Sequence, residues 1–364
     1  MSKKKDKKLK EKKELEKKEL EKKYPFVSLC TPTFNRRPFV KSMIQCFNHQ
    51  TYPKDRIEWI IVDDGTDKIE DLVLHIPQVK YLKFDEKMTL GKKRNVLNDT
   101  AKGDIIVYMD DDDYYPPERI SHAVEMLQKS PQALCAGSSE MFIYFKHINK
   151  MYKFGPYGPN HATAATFAFK KELLLKTRFD ELSSVAEEKK FLKDYTIPFV
   201  QLDSKKSILV FSHIHNSFDK KELLQSLPNP TINETSFTPF DFVKDTNILN
   251  FFMKEIEPLL DTYEPGKPMY KPDVTKQLKE IKERREIMIK QHQEQHQQKQ
   301  HQQNFIIQQL SSENQQLKEK IQYLEDKIKQ IITGKIQEKM KDKHVVKEDV
   351  KIELSNLQPI IINE

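Results

Sequence analysis

The chain has 364 residues, of which 32% are charged and only 37% hydrophobic. That is lean for a wholly globular chain, so charge is concentrated in segments outside a core. The net charge of +7 comes almost entirely from residues 1–23, which hold twelve lysines and six acids and leave about +1 for the rest; this excludes a domain-wide basic face for nucleic acid.

The opening "KKKDKKLKEKKELEKKELEKK" has leucines only at 9, 15 and 20, too sparse for an apolar stripe. It reads as a solvated extension, either helical through i,i+4 Glu–Lys pairs or disordered. From Tyr24 the texture changes. "FVSLCTP" predicts a short buried strand, and "RPFVKSMIQCFNHQT" has helical apolar spacing at Phe39, Met43, Cys46 and Phe47. "RIEWIIVDD" predicts a second strand, "VKYLKF" a third, "TLGKKRNVLNDTA" a helix and "GDIIVYM" a fourth strand. Strands alternating with helices imply a mostly parallel sheet covered on both faces. Ligands of such sheets bind beyond the carboxyl ends of the strands, where the polar clusters after Leu29, Val62 and Met109 fall.

Further on, "ALCAGSSEMFIYF" and "TAATFAFKKELLL" predict a strand pair and a strand-to-helix step. "SILVFSHIHNSF" predicts another strand, ending in two histidines that alternate and so share a face. A short helix is expected near 242–260. Beyond a Gln/His-rich stretch, core positions fall at Ile307, Leu310, Asn314, Leu317, Ile321, Leu324, Ile328 and Ile331. That alternation of three and four is a coiled-coil seam, and a single Asn at an a position fixes register in parallel dimers. In a parallel pair, Glu313–Lys318 and Lys320–Glu325 both attract, and Gly334 ends the pattern. The segment before the seam is Gln-rich rather than Arg/Lys-dense, which excludes a leucine-zipper DNA-binding protein. The expected domains are a charged extension (1–23), a catalytic domain (24–262), a linker with the low-complexity helix (263–304), the coiled coil (305–334) and a charged tail (335–364).

No apolar run approaches the ~20 residues that span a bilayer. Cys30, Cys46 and Cys135 have neither paired nor metal-type spacing. A soluble protein in a reducing, cytoplasmic compartment is expected. The N-x-T triplets at Asn98 and Asn233 then read as chance matches.

Four groups carry chemistry. "TPTFNRR" (31–37) follows a buried strand, where backbone N–H groups and Arg36 can hold phosphate or a base. "VDDG" (62–65) sets two carboxylates and a glycine at a strand end; they either accept from a nucleoside or cap the turn. "GKKRN" (91–95) offers Arg94 as a planar fork, with Lys92 and Lys93 expected in solvent. The run Asp110–Asp113 contains two D-x-D spacings. Such a pair can hold Mg²⁺ or Mn²⁺ with one oxygen donor and ribose with another; the competing reading is a solvated acidic loop.

Taken together, "VSLCTPTFNR…NHQTYP…EWIIVDDGTD…GKKRNVLNDTAKGDIIVYMDDDDYYPPE" resembles the N-terminal half of family 2 glycosyltransferases, which have the GT-A fold and act with inversion. The resemblance implies that Pro32, Thr33, Asp64 and Arg94 contact the nucleotide base, that Asp110 or Asp111 meets the ribose, and that Asp112 ligates a divalent metal, Mn²⁺ or Mg²⁺, with Asp110 as a further donor. This chain has D-D-G-T-D where the family pattern reads D-D-G-S-T-D. An inverting transfer needs a base to deprotonate the acceptor hydroxyl. In "AEEKKFL" Glu187 and Glu188 align with the family's E-D pair, Glu188 taking the Asp position and the role of base. Two acids in the first turn of a helix are also favoured by its dipole. "SHIHNSF" resembles a segment that closes these sites, with Ile214 where the family has glycine; by that alignment His213 completes the metal shell and His215 reaches the diphosphate.

The expectation is therefore an α/β, Rossmann-like GT-A domain followed by a C-terminal coiled coil. It would act as a metal-dependent hexosyltransferase-type enzyme, taking a UDP-sugar by default to a hydroxyl on a glycan, protein or lipid. The expected assembly is a homodimer through the coiled coil, with no specific nucleic-acid partner and no transmembrane segment. The alternative is a catalytically inactive scaffold of the same fold, dimerised by its coiled coil. A nucleotidyltransferase fits poorly, because only eight glycines exist and none cluster before Asp63.

Overall fold

The structure is a computed structural model that describes residue 14 and residues 19–342. Most of the charged extension and the tail from residue 343 lie outside the described residues. The chain forms two compact units, Met1–Lys282 and Glu283–Glu364.

The main sheet of the first unit begins with β1 (Val27–Thr33), β2 (Ile57–Asp63), β3 (Val79–Lys83) and β4 (Ile105–Tyr108), and these four run parallel. β5 (Cys135–Gly137) belongs to the same sheet, whereas β6 (Met141–Phe145) and β7 (Lys150–Phe154) form a hairpin in a second one. β8 (Ala168–Lys170) and β9 (Phe199–Gln201) return to the main sheet, whose order is β3-β2-β1-β4-β8-β5-β9. β10 (Leu209–Phe211) and β11 (Ile232–Thr235) complete the second sheet, ordered β10-β6-β7-β11. β8 is antiparallel to both β4 and β5, so β5 and β9 end on the same rim as β1, β2 and β4.

Alternation along the strands builds the two faces. Leu29, Trp59, Ile61 and Val107 pack on one face with Phe39, Met43, Cys46 and Phe47, the last three from helix α1 (Val40–His49). Cys30, Ile60, Val62, Ile106 and Tyr108 pack on the other with Leu97, from helix α2 (Leu90–Thr100). Helix α3 (Arg119–Lys129) follows the two prolines after the aspartate run. All three cysteines are buried and free, and no helix among the described residues is long and apolar enough to cross a membrane.

The structure revises several sequence expectations. β7, β9 and β11 went unread, and "EMFIYF" pairs in the second sheet rather than with "CAG". The helix expected near 242–260 is a broken series, Pro239–Phe242, Thr246–Asn250, a π turn and Ile256–Thr262. The two histidines lie beyond the end of β10 in a turn, so strand alternation does not set their direction. The first unit also reaches Lys282, so residues 263–282, expected as linker, belong to it. Helix α4 (Pro272–Asp342) runs through Gly334; a glycine in an exposed helix interior costs only about 1 kcal/mol, too little to break so long a helix.

Candidate active site

β1 delivers Thr33 to the rim, and the chain then turns through Asn35, which takes a positive φ of 52°. This turn locks onto the one after β2. Asn35 Oδ1 accepts from the Asp67 N–H at 2.9 Å, and Asp63 accepts from the N–H groups of Gly65 and Ile69 at 2.8 and 3.1 Å. A Cβ on Gly65 would sit 2.6 Å from Asn35 N and Oδ1, which explains the glycine: only a bare Cα lets the two turns touch. Asp63 therefore shapes the turn.

Asp64 is fully committed to its neighbours. It accepts from the Met88 N–H at 2.6 Å and pairs with the Lys93 ammonium. Lys93, expected in solvent, is buried and also donates to the Thr33 carbonyl at 2.8 Å; burial pushes its pKa down against the pull of Asp64. A charged residue on a helix that faces a carboxylate across the sheet end has a partner no local pattern reveals.

The aspartate run is held from both sides. Met109 N–H donates to the Cys30 carbonyl at 3.2 Å, and Thr31 Oγ1 donates to the Met109 carbonyl at 2.8 Å. Asp110 N–H donates to Tyr115 Oη at 2.7 Å. Tyr114 exchanges backbone hydrogen bonds with Leu209 of β10, at 3.1 and 2.9 Å. That bridge sets the aspartates beside the turn leaving β10, so His213 Nε2 lies 3.4 Å from Asp112 Oδ2. Arg36 faces the run from the other side, 3.5 Å from Asp111 and 3.3 Å from Asp112.

Electrostatics separate the four carboxylates. Burial would raise Asp112, but Arg36 and His213 outweigh it and hold its pKa well below the usual range. Burial and the Asp112 charge push Asp111 up to about 7 and Asp113 well above its ordinary value. Burial lowers His213 to about 4 despite Asp112. His215 is 1% exposed, and neither ring nitrogen has a hydrogen-bond partner; burial, then Arg36 and Lys271, lower it to about 4. Its carbonyl accepts from Arg36 at 2.8 Å.

Pro32, Thr33, Arg36 and Asp110–Asp112 line one cavity of about 150 Å³, together with Phe34, Lys87, Lys93, Ser184, Lys271 and Asp273 among others. Arg94, Asp64, His213, His215, Glu187 and Glu188 are not among its lining residues. Arg94 is buried among its neighbours: the guanidinium lies 4.5 Å over the Tyr108 ring, donates from Nε to Glu187 Oε1 at 2.8 Å and approaches Asp110 at 3.6 Å. Arg94 thus links the aspartate run to the glutamate pair. Glu187 is buried with it. Glu188 opens the short helix Glu188–Phe191, is half-buried, and has no ion pair among the described residues. Burial and the neighbouring Glu187 charge push its pKa up to about 7.

Sequence reasoning missed Lys271 and Asp273. They sit in no recognisable motif, and only the fold of residues 263–282 brings them to the cavity.

Residues 28–179 match the model of glycosyl transferase family 2. The matched segment spans less than half of the chain and holds the turns after β1 and β2 and the aspartate run. The chain is similar to an uncharacterized glycosyltransferase of Haemophilus influenzae, 27% identical over 32% of this chain and 42% of that protein. It is also similar to the poly(ribitol-phosphate) beta-N-acetylglucosaminyltransferase TarS of Staphylococcus aureus, 28% identical over 28% of this chain and 19% of that protein. The chain therefore spans less than half the length of these relatives. Among solved structures, residues 1–349 of S. aureus TarS align with a TM-score of 0.40 and 21% identity over 51% of this chain and 60% of that one. A mannosyltransferase of Pyrobaculum calidifontis, in complex with GDP-Man and Mn2+, aligns with a TM-score of 0.41 and 16% identity over 51% and 56%.

Proposed function

We propose that the chain is an inverting glycosyltransferase that moves a sugar from a nucleotide-sugar donor, by default a UDP-sugar, to a hydroxyl acceptor. The observation that carries this reading is the convergence of Pro32, Thr33, Arg36 and Asp110–Asp112, from distant parts of the sequence, on one cavity at the carboxyl ends of β1 and β4. Such a rim is where open α/β sheets bind nucleotides.

Asp110 Oδ1 is buried without a hydrogen-bond partner, and Asp112 has His213 beside it. Carboxylate oxygens with one imidazole suit a Mn²⁺ or Mg²⁺ ion. Among the described residues no group of three or more His, Cys, Asp and Glu side chains is assembled for a metal, so such an ion would take one or two carboxylates, with phosphate and water filling its shell. Asp112, with either Asp110 or His213 as a second donor, would hold it, and the ion would offset charge developing on the departing diphosphate.

Glu188 is the base in this account. Its carboxylate takes the proton of the acceptor hydroxyl as the oxygen attacks the anomeric carbon, and the bond to the diphosphate breaks on the opposite side. Arg94 neutralises Glu187 and leaves Glu188 unpaired.

The second unit offers a separate proposal, a parallel coiled-coil dimer. Ile307, Leu310, Leu317, Ile321, Leu324, Ile328 and Ile331 are 47–62% exposed on one helix. A second copy would cover that seam, with Asn314 setting its register.

Calorimetric titration with UDP, GDP, CDP and dTDP, with and without Mn²⁺, tests the donor reading. Metal-dependent binding of one of them, lost in Asp112→Ala, supports it. No binding to any, with circular dichroism unchanged, leaves a scaffold of the same fold.

A further inference from the structure

Four cationic side chains line the donor cavity, and three have a carboxylate partner. Arg36 faces Asp111 and Asp112, Lys93 pairs with Asp64, and Lys87 pairs with Asp273 at 2.5 Å. Lys271 differs. Its side chain is buried, at 7% exposure, and among the described residues its Nζ makes one hydrogen bond, donated to Ser217 Oγ at 2.9 Å, and no ion pair. Burial and the Arg36 charge work against the ammonium, while Asp112 and Asp111 of the same cavity attract it without forming an ion pair; an anion from outside would complete its coordination.

The segment that carries Lys271 is fixed in place. Pro265 and Gly266 carbonyls accept from Asn35 Nδ2 and Arg36 at 2.9 and 3.4 Å. A Cβ on Gly266 would lie 2.6 Å from His215 Nδ1, so the chain passes as close to that ring as glycine allows. Two residues beyond Lys271, Asp273 accepts from Ser184 Oγ at 2.6 Å. Lys271 therefore lines the same cavity as Asp110–Asp112, from a segment outside the family-matched residues 28–179.

We infer that Lys271 is a ligand of the donor diphosphate, so that the residues between the catalytic core and the long helix complete the donor site. The inference rests on the nucleotide-sugar reading. Lys271 supplies a point charge to phosphate oxygens, as a lysine does elsewhere, while Arg36 stays engaged with Asp111 and Asp112.

Calorimetry on the full chain with Mn²⁺ tests it, using the nucleoside diphosphate that wild type binds and its monophosphate. Lys271→Met weakens diphosphate binding about tenfold or more, the worth of a charge-assisted hydrogen bond, and leaves the monophosphate within about twofold. Lys271→Arg restores most of the diphosphate affinity. A structural role moves both ligands together, so equal losses, or no loss, overturn the assignment. If Lys271→Met melts below the assay temperature, the comparison moves to Lys271→Gln, read the same way. A wild type that binds no nucleoside diphosphate overturns the donor reading and the assignment with it.

Discussion

Arg94 and Glu187 form a buried ion pair, Nε to Oε1 at 2.8 Å, while the adjacent Glu188 has no ion pair among the described residues. Arg94 is stacked over Tyr108 and reaches Asp110 with its far nitrogen. Glu187 is thereby spent on structure, and the loop carrying Glu188 is tied to the end of β4.

The two glutamates should therefore fail differently. Glu188→Gln is expected to lower kcat by about 10²–10⁴-fold, the usual worth of a positioned base, with donor affinity unchanged by calorimetry. Glu187→Gln leaves Asp110, at 3.6 Å, as the counter-charge of the buried Arg94 and is expected to cost about 1.5–3 kcal/mol of stability, the worth of a charged hydrogen bond, read as a lower denaturant midpoint.

Turnover should follow the ionisation of Glu188. Its pKa is pushed up to about 7 by burial and by Glu187, with Arg94 pulling the other way and Tyr195 the other titratable group it influences. The base acts only when ionised, so kcat is expected to rise tenfold per pH unit below about 7 and level off above it. The limb is checked against Glu188→Gln, in which it should vanish.

Gly65→Ala tests the lock between the first two turns. The new methyl would meet Asn35 N and Oδ1 at 2.6 Å, and overpacking of that kind costs about 1–3 kcal/mol. Chemical denaturation should report that loss. A variant as stable as wild type would mean the Asn35 turn gives way freely.

Breaking the proposed seam should not touch the donor site. Leu317→Lys with Leu324→Lys puts charge at two exposed apolar positions of the helix. Sedimentation is expected to shift from dimer to monomer while nucleotide affinity holds. A wild type that sediments as a monomer would remove the dimer.

β2 and β4 were legible because buried parallel strands read as unbroken apolar runs, "WIIV" and "IIVY". β7 was not, because Lys150 and Lys153 interrupt it and its pairing with β6 and β11 is a tertiary fact. Asn35 was quoted within a motif but its work, bracing two turns, shows only where the turns meet. Lys93 and Lys271 were out of reach for one reason. Both are charges whose burial depends on partners far along the chain, at Asp64 and at Ser217, and no local pattern encodes that.

The central claim is inverting transfer with Glu188 as base. Its most direct test is ¹H NMR of donor hydrolysis, with water standing in for the acceptor, using the nucleotide sugar whose nucleotide binds. The account predicts that the first sugar released carries the anomeric configuration opposite to the donor's, and that Glu188→Gln abolishes the release. A sugar released with retained configuration, or release that survives Glu188→Gln at the wild-type rate, would contradict it.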